Sequence, residues 1–170
     1  MIKLTAFCFI FLLIGMQSCK VSLSGASIPK DAKTFSVAFF ANNAPLVQPT
    51  LSQAFTEELR NFFITQTNLS LVSKEGDLQF EGEITDYRVT PIAIQNQAGS
   101  FGGASSNRLT IAVNVRFTNV KDPNKDFESV FSRFADFDQN QNLTAVESEL
   151  IRQINQQLIQ DIFNKAVINW

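Results

Sequence analysis

Histidine is missing from all 170 residues. That removes Ser–His and Cys–His catalysis and any imidazole metal site. Cysteine is almost missing too, with Cys8 and Cys19 the two in the chain. Charge of either sign is sparse: 14 basic and 16 acidic side chains give a net charge of −2. A general nucleic-acid binder would show a basic face, so no nucleic acid is expected as a partner. Tyr and Trp occur once each, against 17 Phe. Much of that phenyl surface must therefore be core.

What is present begins with a three-part leader. Lys3 is the one charge before residue 19, and Leu4 to Ile14 is apolar. Small residues follow, ending at Ser18 and Cys19. A positive start, a short greasy segment and a small-residue end describe a signal peptide, here residues 1–18. The apolar run is shorter than the roughly 20 residues that a bilayer-spanning helix needs. Ser18–Cys19 resembles the lipobox of bacterial lipoproteins. Met16 and Gln17 depart from the commonest pattern, and the looser form is similar to lipoboxes of the Bacteroidetes. The resemblance implies cleavage before Cys19, diacylglycerol on its sulfur and an acyl group such as palmitate on its amine. More than one chain gives stable anchoring. Cys8 leaves with the leader, so no intrachain disulfide is available and packing must hold the fold. About 150 residues remain, enough for one domain.

Residues 19–33 read as the lipidated N-terminus and a tether, with Ser22, Ser24, Gly25, Ser27 and Pro29. No acidic run follows Cys19. In Bacteroidetes-type lipoproteins such a run resembles a surface-export signal, so its absence points to the periplasmic side of the outer membrane. Phe35, Val37, Phe39 and Phe40 favour a strand, and Pro45 and Pro49 a loop. Thr50 and Gln53 have the spacing of a capping box. Leu51, Phe55, Leu59 and Phe62 then recur at helical spacing. Residues 69–72 suggest a short strand. Leu78, Phe80, Gly82 and Ile84 alternate with polar residues, and the alternation slips before Tyr87 and Val89. That slip predicts a bulge at Thr85–Asp86. Pro91 places the far end of this strand at an edge or beyond pairing.

Residues 95–107 form a Gly/Ser/Asn loop. Leu109, Ile111, Val113, Val115 and Phe117 make the cleanest alternation in the chain. A third long strand spans Phe127 to Phe137, with apolar groups on both parities, which implies cover on both sides. Thr144 and Glu147 repeat the capping-box spacing. Leu143, Val146, Leu150, Ile154, Leu158, Ile162 and Ala166 form a long helical stripe. The sum is an α+β domain: a mostly antiparallel four-stranded sheet with two helices packed on one face.

The segments NNAPLVQPTLSQAFTEEL (42–59), GDLQFEGEITDYRVTP (76–91), NRLTIAVNVRFTN (107–119) and DFESVFSRFADFD (126–138), with IFNKAVINW (162–170), resemble the Bacteroidetes branch of LptE. LptE is a family of lipopolysaccharide-assembly lipoproteins. The likeness covers nearly all the chain after the leader, so residues 34–170 read as a single LptE-like domain. It implies two helices on a four-stranded sheet. It also implies an outer-membrane β-barrel partner like LptD, and joint placement of lipopolysaccharide in the outer leaflet. No catalysis and no cofactor are implied. A second reading keeps the anchor and the fold but has the lipoprotein scaffold or activate another cell-envelope complex.

Candidate chemistry is thin. Glu81 and Glu83 share a strand face and could do paired-carboxylate work, but they read as a solvated face. Asp136 and Asp138 could touch a divalent ion, yet a calcium site needs more oxygen ligands. SFGGASSN (100–107) lacks the Lys and spacing of a phosphate loop and reads as a hairpin tip or a partner-contact loop. Arginine suits phosphate by charge and forked donors. Given the lipid A phosphates that the resemblance implies, Arg88, Arg108, Arg116 and Arg133 are the candidates for lipopolysaccharide contact. Arg116 leads, because it sits mid-strand opposite the apolar row.

Replacing Cys19 with Ala should abolish incorporation of radiolabelled palmitate and leave an uncleaved precursor on a gel. Full labelling of Cys19→Ala would refute the lipobox reading.

Overall fold

The computed structural model describes residues 31–46, 48–93 and 105–167. Cys19 and the other residues up to 30, residues 94–104 with most of the expected Gly-rich loop, and the last three residues lie outside them. The chain runs β1 (Thr34–Val37), β2 (Ala41–Asn42), α1 (Leu51–Gln66), β3 (Ser70–Leu71), β4 (Leu78–Ala93), β5 (Ser105–Asn119), a 3-10 turn (Pro123–Lys125), β6 (Phe127–Asp138) and α2 (Leu143–Val167).

The sheet is mixed and has six strands, ordered β3-β1-β4-β5-β6, with β2 also on β4. β1 pairs in parallel with β3 and β4, and β2 pairs in parallel with β4. β4, β5 and β6 form the antiparallel meander. This corrects the expected mostly antiparallel four-stranded sheet. The helix between β2 and β3 is a crossover, and crossovers return strands in parallel. β2 and β3 are two residues each, too short to show a period.

The strand expected over residues 34–40 is split for a visible reason. Phe40 is fully buried, and its N–H donates to Thr56 Oγ1 on α1 at 3.1 Å, out of the sheet ladder. In α1 the residues Leu51, Phe55, Leu59 and Phe63 are wholly buried. Their four-residue spacing is the stripe that binds helix to sheet. The Thr50 hydroxyl makes no capping bond. Instead Gln48 Oε1 accepts from Thr50 N–H at 2.8 Å. At α2 the cap is Asn142, whose Oδ1 accepts from Thr144 N–H at 3.0 Å. Glu147 turns away from its expected capping role: it accepts from Tyr87 Oη, and from Gln48 Nε2 at 3.1 Å. That carboxylate ties β4, α2 and the lead-in to α1 together.

The bulge falls where the alternation slips, between Ile84 and Asp86. Pro91 pairs with Asn107, in a stretch of β4 past Ile84 that has a partner on one side among the described residues. Both helices cover one sheet face. Phe63 on α1 meets Phe80 of β4 at 4.6 Å and Phe163 of α2 at 5.3 Å between ring centroids. Phe80 meets Phe117 at 5.0 Å, and Phe117 meets Phe127 at 5.2 Å. The phenylalanine excess is thus a run of rings through the core. Gly82 interrupts the apolar row of β4 because a Cβ there would lie 2.6 Å from the Phe40 ring and 2.0 Å from Asn114 O.

Asp77 fastens the start of the domain. Its Oδ2 accepts from Lys33 N–H at 2.8 Å, and from the Thr34 N–H and hydroxyl at 3.0 Å each. Lys121 Nζ lies 3.0 Å from its other oxygen. The Lys33 amide first, then Lys121, holds this carboxyl well below the usual carboxylate range. A depressed native pKa stabilises the fold above the unfolded value and is lost as pH falls.

Asp77→Asn should therefore lower the urea midpoint at neutral pH and narrow its gap to the parent protein in acid. An equal gap at both pH values would contradict the linkage. Gly82→Ala should destabilise by about 1–3 kcal/mol through overpacking, read from the same denaturation curves.

Candidate functional site: the open sheet face

The face of the sheet away from the helices carries the polar parity of β4 and β5. The apolar parity of β5 is fully buried under the helices, from Leu109 to Val115, and nearly so at Phe117. Arg108 and Arg116 therefore project from the open side. The bulge in β4 puts Arg88 on that side as well, because Tyr87 turns into the core.

Each arginine already has a carboxylate. Arg108 forks onto Asp136, with Nε to Oδ1 at 2.7 Å and Nη2 to Oδ2 at 2.8 Å. Its guanidinium also lies over the Phe134 ring, 3.5 Å from the centroid. Arg88 pairs with Asp86. Arg88 lies opposite Thr110, two residues from Arg108 on β5, so the two arginines are diagonal neighbours. Together with Phe134 they form a cationic and aromatic cluster at the end of the face where β4 ends and β5 begins.

Arg116 sits at the opposite end, in different company. Its Nη2 donates to Glu128 Oε2 at 3.0 Å, and Asn114 Nδ2 donates to Glu128 Oε1 at 3.1 Å. Those donors, Asn114 first, hold Glu128 below the usual carboxylate range. Glu81 pairs across from Arg116, and Glu83 across from Asn114. The shallow depression here is lined by Glu81, Glu83, Glu128 and one guanidinium. Three carboxylates around one arginine make this end acidic, which disfavours a phosphate.

Arg133 is on the other face, forked onto Asp161 of α2 at 2.6 and 2.8 Å. The structure thus brings Arg88 and Arg108 together and separates Arg116 and Arg133 from them. Asp136 is held by Arg108, and Asp138 accepts from Asn140 N–H at 2.7 Å. No group of three metal-ligating side chains occurs among the described residues. Most of the Gly-rich segment, and Cys19, lie outside those residues.

Val130 is 65% exposed and Phe134 46%. The apolar residues on this parity of β6 are therefore uncovered by the described chain, against the expectation of cover on both sides.

A family model described as LptE, lipopolysaccharide-assembly, matches residues 32–166. The chain belongs to the LptE family. That match spans the described domain almost end to end, and the family is a non-catalytic assembly component. No curated protein matches this LptE-family chain. Among solved structures, it is similar to the hypothetical protein CT253 of Chlamydia trachomatis. The TM-score is 0.56 at 9% identity, covering 81% of this chain and 99% of that one. It is also similar to a neuraminyllactose-binding hemagglutinin homologue from Helicobacter pylori. There the TM-score is 0.52 at 10% identity, covering 84% and 87% of the two chains. The rare lipoprotein B of Shewanella oneidensis matches at TM-score 0.45 and 10% identity, over 78% of this chain and 90% of that one. For the first two, at these identities, the likeness is one of fold.

A second polar cluster was not legible beforehand. On the seam between the helices, Asn155 is wholly buried with neither side-chain polar atom partnered, and Glu58 Oε2 beside it is also without a donor. Burial lifts the Glu58 carboxyl above its usual range, against the weaker pull of the Arg152 charge. An acid whose native pKa is raised destabilises the fold as pH climbs through that range.

Glu58→Gln should hence raise the thermal midpoint at neutral pH and have less effect in acid, below the unfolded value of 4.5. A loss of stability at neutral pH would show instead that the Glu58 charge is used.

Proposed function

We propose that this chain is a non-catalytic subunit of the outer-membrane lipopolysaccharide translocon. In this reading Cys19 carries the lipid that holds it to the periplasmic side of the outer membrane, as in Bacteroidetes-type lipoproteins. The domain assembles with an LptD-like β-barrel, plugs it and contacts lipopolysaccharide. The observation that carries the reading is the LptE family match over residues 32–166.

Among the arginines, Arg108 and Arg88 are the preferred phosphate contacts. Phe134 fixes the plane of the Arg108 guanidinium, so an incoming phosphate meets a preorganised fork. It would compete with Asp136 for that fork, and an exposed ion pair of this kind contributes little stability. Arg116 would have to give up Glu128 inside an acidic setting, and Arg133 would have to leave Asp161 on the helix side. Both stand lower in the order for that reason.

The test is affinity purification of a tagged copy from detergent-solubilised outer membranes. One large β-barrel protein in about one-to-one amount supports the proposal; a different envelope complex, or no partner, overturns it. Arg108→Ala should cut lipopolysaccharide recovered with the purified protein by about tenfold, the scale of one charge-assisted contact. Arg116→Ala should change it far less.

A further inference from the structure

Four stretches of strand edge are open among the described residues, and three of them are blunted. The β2 and β3 edges are two residues long each. The free stretch of β4 carries the bulge at Ile84–Asp86 and Pro91. Short edges, bulges and prolines are how sheets avoid pairing with other chains.

The remaining edge, β6, has none of these. It runs for 12 residues without Pro, Gly or Lys, and its register with β5 is unbroken from Phe127 to Asp138. Its charges before the terminal Asp138 are drawn away from the edge. Glu128 is held by Arg116 and Asp136 by Arg108, both on β5, while Arg133 is held by Asp161 on α2. About 40 Å of backbone donors and acceptors is left at this edge.

The two sides of that edge differ. On the open face, Val130 and Phe134 form an exposed apolar row. On the helix side, a trough between β6 and α2 is lined by Gln153, Gln156, Gln157 and Gln160 beside the neutralised Arg133–Asp161 pair. A strand laid along β6 would place alternate side chains into these two settings. The apolar row suits apolar residues. The amide-lined trough, with no net charge to offer, suits small hydroxyl or amide side chains.

We infer that β6 is a strand-addition site for one extended, uncharged segment of the protein partner, alternating apolar residues with small polar ones. The inference rests on the reading of this chain as a subunit of a protein assembly and names the surface that makes the contact. The segment comes from outside the partner's own sheet, since a strand closed into a barrel has no free edge. Main-chain bonds to β6 supply affinity, and the two alternating settings supply register.

Amide hydrogen exchange on residues 127–138 tests this, comparing the purified complex with the detergent-solubilised chain alone. Binding should slow exchange along β6 by about tenfold or more. The double variant Val130→Lys/Gln153→Lys changes two exposed positions. It should keep the thermal midpoint and reduce partner recovery severalfold. An intact complex with unslowed β6 amides overturns the inference and leaves the proposed function standing. Failure of the wild-type chain to recover any partner overturns both. Protection that grows with the concentration of the chain alone would put a second copy on the edge and overturn the assignment to a partner.

Discussion

Phe63 is where the layers meet. From α1 its ring reaches Phe35 on β1, Phe80 on β4 and Phe163 on α2. With no disulfide among the described residues, such contacts have to hold helices and sheet in one arrangement. A phenyl truncation in a packed core costs about 3–5 kcal/mol, a large share of the roughly 5–15 kcal/mol that separates folded from unfolded domains. Everything on the open face takes its position from this packing, because the buried parity of each strand decides which residues face outward.

One-sided burial also explains the electrostatics. The helices cover one sheet face, so the charged side chains of the meander, Arg133 apart, gather on the other. There they settle into cross-strand pairs: Arg116 with Glu128, and Arg108 with Asp136. The pairing neutralises most of the face and leaves contrast at its ends. One end gathers Arg88, Arg108 and the Phe134 ring; the other gathers Glu81, Glu83 and Glu128 around a single guanidinium. A ligand bearing phosphate and apolar groups finds complementary chemistry at the first end alone.

Much of this was legible beforehand. The buried row of β5, the α1 stripe from Leu51 to Leu59 and the bulge at Ile84–Asp86 follow from periodicity, which burial imposes directly on the order of residues, while Phe63 and not the expected Phe62 completes the stripe. The short strand at Ser70–Leu71 was expected, but β2 and the parallel pairing of both were not legible, since two residues have no period. The caps moved from Thr50 and Thr144 to Gln48 and Asn142 because competing amides stood upstream, and Glu147 was taken by Tyr87 across the fold. The arginines show the same boundary. Periodicity put Arg116 on the open face, but its carboxylate neighbours depend on the β4–β5 and β5–β6 registers. Those are set by long-range pairing, not by anything local to residue 116.

The grip of Asp77 on Lys33 and Thr34 has a mechanical side. Any tension arriving from the residues before 31 enters the domain at the head of β1. β1 lies between two parallel neighbours, β3 and β4, so the pull is met along the strand by both flanks at once rather than peeling one bond at a time. Asp77 stands at the point where that force first arrives, and Lys121 links the same carboxylate to the turn after β5. The load is therefore shared with the meander before the first rung of the β1 ladder is tested.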